Sequence, residues 1–153
     1  MANVLTSWEQ DPVASYLFGV TVDGQDGFTV FSAAAGLSEE NSVIFFRQRG
    51  SDGKLQVKKV PGNYTWSDIT LKRGITTSTD MWDWRQKVLA GDMEGARASG
   101  SITIYSPDLN PVAKWEFTNG WPSKWSGGDL SADSDDTFIE ELTITHEGLS
   151  WSA

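Results

Sequence analysis

His146 is the only histidine in the 153-residue chain. It is therefore the one side chain that could act as the base of a Ser-His-Asp arrangement. It stands beside Glu147 at the end of an alternating segment, where an edge or surface histidine is the plainer reading. A second candidate lies in "DLSADSDDTFIE", Asp129 to Glu140. Asp129, Ser131, Asp133, Asp135, Thr137 and Glu140 put oxygen at the first, third, fifth, seventh, ninth and twelfth places of a calcium loop. Ser134, however, stands where that loop's sharp turn needs Gly. The preceding "WPSKWSGG" is no entering helix, and the following segment alternates like a strand. Cysteine is absent, which excludes disulfides and thiolate metal sites. No Gly-rich phosphate loop, HExxH or Cys–His spacing occurs. The 21 acids offer many carboxylate pairs for acid–base work, and nothing singles one out. The expectation is a chain without catalytic residues, metal or cofactor.

The elements behind these residues are mostly strands. "ASYLFGVTVDG" places Tyr16, Phe18, Val20 and Val22 on one face at period two. Turn chemistry follows at Asp23-Gly24 and Asp26-Gly27, and then a second strand, "FTVFSAAAG", ends at Gly36. "NSVIFFRQRGSDGKLQVKKV" is a long hairpin with its tip at Gly50-Ser51-Asp52-Gly53. Ser67 to Lys72 alternates with Ile69 and Leu71 facing one way. One helix is expected over about 79–90. Ser78, Thr79 or Asp80 can cap it and Gly91 can end it. Met81, Trp84 and Val88 form its apolar stripe with Leu89 beside them, and Trp82 lies off that stripe. "SGSITIYSPD", "AKWEFTNGW" and "TFIEELTITHEGL" supply three more strands. The fold class is mainly β: an antiparallel sandwich or barrel of seven or eight strands with one packed helix, in a single domain over 1–153.

Hydrophobic content of 39% suits a folded chain, and no run is long enough to form a membrane helix. "MANVLTSWEQDP" has neither a basic n-region nor an apolar h-region, so no secretory signal is expected there. The net charge of −9 argues against binding nucleic-acid phosphates. Its distribution says more. No Lys or Arg precedes Arg47 or follows Lys124. "RQRGSDGKLQVKK" holds Arg47, Arg49, Lys54, Lys58 and Lys59 against the single acid Asp52. A basic segment and acid-only segments could meet on different copies.

Three blocks in order carry a family resemblance. "VPGNYTWSDITLKRGITTSTDMWDW" supplies Pro61, Gly62, then Ile69, Thr70, Leu71, Lys72, Arg73, Gly74, and Trp84 near a helix start. "FSAAAGLSEENSVIFFRQ" gives a Ser-x-x-x-Gly-Leu turn and a strand. "DLSADSDDTFIEELTITHEGL" leads from an acidic turn to Glu140, Glu141 and then His146-Glu147-Gly148. Together they resemble the inner tail tube proteins of contractile phage tails and phage-derived injection systems, similar in fold to the type VI secretion tube protein. The chain departs from that pattern at "FFRQRG" and at the tip "GSDGK".

The resemblance implies hexameric rings whose strands join into one continuous inner barrel. The rings would stack head to tail into a tube inside a contractile sheath. Implied partners are further copies of the chain, the sheath protein, a baseplate or tube initiator, a tail terminator, and DNA or effector cargo in the lumen. Assembly is expected in the bacterial cytoplasm, with residues 1–11 forming an N-terminal arm. The long hairpin would reach the neighbouring ring through Arg47, Gln48, Arg49, Asp52, Lys54, Gln56, Lys58 and Lys59. If polar sheet faces line the lumen, the net charge of −9 allows an acidic lining that would repel DNA phosphates or acidic cargo. The alternatives are an initiator or baseplate adaptor on the same fold, or a secreted hexameric cargo carrier.

Overall fold

The computed structural model describes residues 17–24, 31–75, 77–133 and 137–152. Tyr16, the Asp26-Gly27 turn, the start of the second expected strand and the expected N-terminal arm lie outside them. Among the described residues there are nine strands and two helices. They are β1 Phe18–Val22, β2 Ala33–Ala35, β3 Glu39–Arg49, β4 Leu55–Trp66, β5 Ile69–Gly74, α1 Asp80–Leu89, α2 Met93–Ala96, β6 Ala98–Tyr105, β7 Pro111–Gly127, β8 Ile139–Thr145 and β9 Gly148–Ser152. Seven strands form one antiparallel sheet in the order β1-β6-β7-β8-β5-β2, with β9 also on β7, while β3 and β4 make a separate two-stranded ribbon. The fold is mainly β and sandwich-like. Among the described residues no pairing closes the sheet into a barrel.

The long strand β7 makes the sandwich. Its first part pairs with β6 and β9, and its second part pairs with β8. Between them Asn119 takes a positive φ of 50° and the sheet turns over on itself. Pro122 sits past the end of the β9 pairing, next to a register shift against β8. There its missing N–H costs no ladder bond on the open side.

Alternation then sorts the residues. In the β1-β6-β7-β9 half, Val20, Ile102 and Trp115 share a cross-strand row on one face, and Val22, Phe117 and Leu149 share the next. In the other half Ile69 pairs with Ile144 and Leu71 with Leu142. Apart from Trp115, which stacks on the exposed Trp151, these rows meet Met81 and Trp84 of α1 and Ala96 of α2 in one buried core. Trp84 is fully buried, and its indole N–H donates to the Ala96 carbonyl at 2.6 Å.

The helix matches its expected span to within a residue. Thr79 precedes it as N-cap, its hydroxyl bonded to the Asp83 carboxylate, and Gly91 takes the positive φ that ends it. Leu89 departs from expectation. It is 63% exposed, while Val88 beside it packs against the core, so Leu89 lies off the buried face of the helix. The segment 137–149, expected as one strand, breaks at His146-Glu147. There the Glu147 N–H donates to the Thr118 carbonyl, and β9 continues along the same edge of β7 as β8, in the same register. The short helix α2 has no counterpart among the expected elements. Asp92 caps it by accepting from the Gly95 N–H.

Candidate assembly surfaces

The β3–β4 ribbon stands apart from the body. Val43, Ile44, Phe45, Phe46, Leu55, Val57, Val60 and Tyr64 are all at least 42% exposed on it. Strand propensity explains the ribbon, since β-branched and aromatic residues fill both strands. Burial does not explain it, because the described residues offer little cover for either face. Directly paired residues share a face. One face carries Val43, Phe45, Val57 and Leu55 with Arg47, Arg49 and Lys59, and the other carries Ile44, Phe46 and Val60 with Gln48, Gln56 and Lys58. What reads in sequence as one basic segment is therefore sorted three strand cations to one between the faces. The Lys59 ammonium lies 5.7 Å from the centre of the Phe45 ring. At the tip, Arg49 donates to the Gly53 carbonyl and Asp52 accepts from the Lys54 N–H, so both help to shape the turn.

Pro61 and Gly62 lie at a bulge in the same ribbon, between the Asn41 and Val43 pairs. A Cβ on Gly62 would fall 2.4 Å from the Ser42 hydroxyl, so no larger residue fits this strand crossing unless Ser42 shifts. The base of the ribbon is tied to the body by His146. Its two ring nitrogens lie 3.1 Å from the Gly148 carbonyl and 3.0 Å from the Ser67 carbonyl. Both nitrogens therefore face backbone, which makes this a structural histidine.

The other motif residues converge although they are far apart in sequence. β5 pairs with β8 so that Lys72 stands opposite Glu141 and Arg73 opposite Glu140. The Arg73 Nε donates to Glu140 at 2.6 Å, with both side chains under a tenth exposed. Glu140 also accepts from the Trp125 indole at 3.2 Å, and the Arg73 guanidinium lies against the Phe31 ring. Glu140, the twelfth place of the supposed calcium loop, is thus turned into an internal ion pair. Lys72 and Glu141 form a looser pair at 3.7 Å on the opposite face. Glu147 accepts from Asn119 at 2.9 Å beside the bend in β7. Pro61 and Gly62 do not join this cluster.

The face of the sheet away from the core is mostly polar, with Lys114 and Glu116 among Thr and Ser and with Tyr105 beside Gly19. In the β1-β6-β7-β9 half, one row is Gly19, Thr103, Lys114 and Ser152, and the next is Thr21, Ser101, Glu116 and Ser150. Lys114 and Glu116 pair at 3.0 Å. In the other half the outer face carries Thr70, Thr143 and the Lys72–Glu141 pair. These outer faces hold compensated charge among hydroxyls.

Sequence reading missed one surface. Ile75, Trp82, Leu130 and Ile139 are exposed around the start of α1 and the loop after β7, with Trp82 packed edge-on against Trp125 at 4.9 Å. The signal was the position of Trp82 off the helical stripe.

A β body with open strand edges, one dry face and a projecting uncovered ribbon is a structural subunit of the self-assembling kind. Consistent with that class, the family model described as T4-like virus tail tube protein gp19 matches residues 14–150. The chain belongs to this family and is a tail tube protein, as its three motif blocks suggested.

Solved structures agree on the fold. The chain is similar to one from the sheath–tube complex of an extracellular contractile injection system, PVC, in the extended state. That likeness has 21% identity, 94% of this chain and 93% of the other covered, and a TM-score of 0.74. A chain from the six-fold symmetrised anti-feeding prophage baseplate gives 21% identity, 93% and 96% covered, and a TM-score of 0.79. Hcp1 from Flavobacterium johnsoniae gives 20% identity, 89% and 94% covered, and a TM-score of 0.52. Comparison with curated protein sequences gives no match. Among the described residues no helix is long and apolar enough to cross a membrane.

Proposed function

We propose that the chain is the repeated, non-catalytic inner-tube subunit of a contractile tail or injection system. Six copies close a ring, rings stack head to tail within a contractile sheath, and the tube conveys DNA or effector cargo when the sheath contracts. The observation that carries this reading is the four-stranded β1-β6-β7-β9 half-sheet. Among the described residues both of its outer edges are unpaired, and one face is largely polar. Exposed edges in a monomer invite pairing with other chains. Strand β9 of one copy set against β1 of the next would continue the antiparallel ladder around a ring. The Thr21, Ser101, Glu116 and Ser150 row would then line the lumen with hydroxyls and compensated charge, a surface on which cargo slides.

Baseplate or initiator, tail terminator and sheath are the partners in this reading, with assembly in the bacterial cytoplasm. The ribbon residues Arg47, Gln48, Arg49, Asp52, Lys54, Gln56, Lys58 and Lys59 form the stacking contact between rings. The fold is nearer the PVC and anti-feeding prophage chains than Hcp1, which favours this branch over a secreted carrier. Negative-stain electron microscopy of the purified protein and of particles from its native source tests the proposal. Six-fold rings or hollow tubes are expected. A chain that stays monomeric and is also absent from every sheathed particle refutes it.

A further inference from the structure

The uncovered surface near α1 has the chemistry that the ribbon lacks. A depression of about 220 Å³ is lined by Ile75, Ser78, Thr79, Trp82, Trp125 and Glu140. A second, of about 530 Å³, includes Asp129, Leu130, Phe138 and Ile139. The two adjoin, because the Ile75 N–H donates to the Phe138 carbonyl. Leu130 is 85% exposed and Trp82 47%, which is costly for side chains of this size if nothing covers them. Acids stand close by in the chain: Asp129 lines the second depression with Asp133 further along the same loop, and Asp80 and Asp83 flank Trp82 in the first turn of α1. Among the described residues no Lys or Arg lines either depression.

The ribbon shows the opposite pattern. Its richer face sets Phe45, Val57 and Leu55 among Arg47, Arg49 and Lys59. We propose that the patch formed by Trp82, Ile75, Ile139, Leu130 and the four neighbouring aspartates is the socket for this face of the ribbon of a second copy. The inference rests on the tube reading and adds the receiving surface to it. Apolar area would be buried in the centre with opposite charges at the rim, the arrangement found at specific interfaces. Ribbon and socket are different surfaces of one chain, so the contact is heterologous and each added copy presents a fresh socket. The other face of the ribbon, with Ile44, Phe46 and Val60, stays available for a further neighbour.

The absence of cysteine makes a direct test possible. The double variant Lys59→Cys with Asp129→Cys is assembled in sheathed particles, treated with a short bismaleimide and run on a denaturing gel. A ladder of dimer, trimer and higher multimers is expected, while each single-cysteine variant stops at dimer. Intact tubes without a ladder, or a cross-link from the thiol introduced by Asp129→Cys to the sheath protein, would overturn the socket and leave the tube reading standing. Absence of the chain from every sheathed particle would overturn both. Charge reversal is an independent arm. Arg47→Glu with Lys59→Glu should lower tube yield about tenfold through loss of two exposed pairs. Asp129→Lys with Asp133→Lys in the same chain should restore it. Failure of that rescue, with both variants folded by circular dichroism, also overturns the socket.

Discussion

Removing the Glu140 carboxylate should be among the most damaging single changes available in this chain. The variant Glu140→Ala leaves the Arg73 guanidinium, whose side chain is only 8% exposed, without the carboxylate it meets at 2.6 Å. It also removes the acceptor of the Trp125 indole N–H. Breaking one side of a buried ion pair costs about 3–5 kcal/mol, much of it the desolvation of the charge left behind. In a domain of this size each kcal/mol moves the melting temperature by roughly 2–4 °C, so a fall of about 6–20 °C is expected. The assay is thermal and urea denaturation of the unassembled chain, followed by tryptophan fluorescence. The control is the double replacement Arg73→Met with Glu140→Leu. It removes both charges, keeps the volume apolar and should recover most of the loss. A single variant within about 1 kcal/mol of the parent would refute the reasoning. So would a double variant as unstable as the single one, since the cost would then lie in shape and not in the broken ion pair.

Other changes probe separate links. Gly36→Ala should destabilise by at least about 2 kcal/mol in urea, because Gly36 takes a φ of 94° and a methyl there would meet the Asp68 carbonyl at 1.9 Å. Trp84→Ala empties the centre of the core and removes the bond to Ala96, so a loss of about 3–5 kcal/mol is expected, and less than about 1 would show that the site collapses. Hydrogen bonding from Ser106, first of all, and from Asn110 holds the Asp108 carboxyl below the ordinary aspartate range. Its folded value is depressed, so its support of the turn is present above about pH 3.9 and fades as pH falls through the folded value. An NMR titration of the carboxyl carbon should give a midpoint below that of a model peptide, and Ser106→Ala should raise it.

Much of the fold was legible because one physical signal dominated. Where one face is buried, period-two alternation marks the strand, as at Ile69-Thr70-Leu71 and Val20-Thr21-Val22. The α1 stripe of Met81, Trp84 and Val88 was equally plain. Two strands that share one alternating run were not. The pattern from Thr137 to Leu149 passes through His146 without a break in hydropathy, and the pairing with β7 keeps one register across it, so the boundary between β8 and β9 has no local signal. The Arg73–Glu140 pair was half legible. Both residues stand in motif blocks, yet their meeting depends on the β5–β8 register, which no local pattern contains. The ribbon was visible as a basic hairpin. The sorting of its charges by face required knowing which residues stand opposite one another.

The ribbon has a consequence for timing. A two-stranded ribbon without a packed face is marginal in water. In a free copy, then, β3 and β4 should fray at the tip first. The first copies to meet must order their ribbons for only partial cover, at a cost of about 1–2 kcal/mol per residue fixed. A copy joining an existing layer meets surfaces already in place. Growth of such a polymer has a slow start and a fast continuation, so polymerisation should begin where a preformed template stands and seldom elsewhere. Light scattering should show a lag that preformed fragments abolish. Growth that begins at full rate from free copies would contradict this.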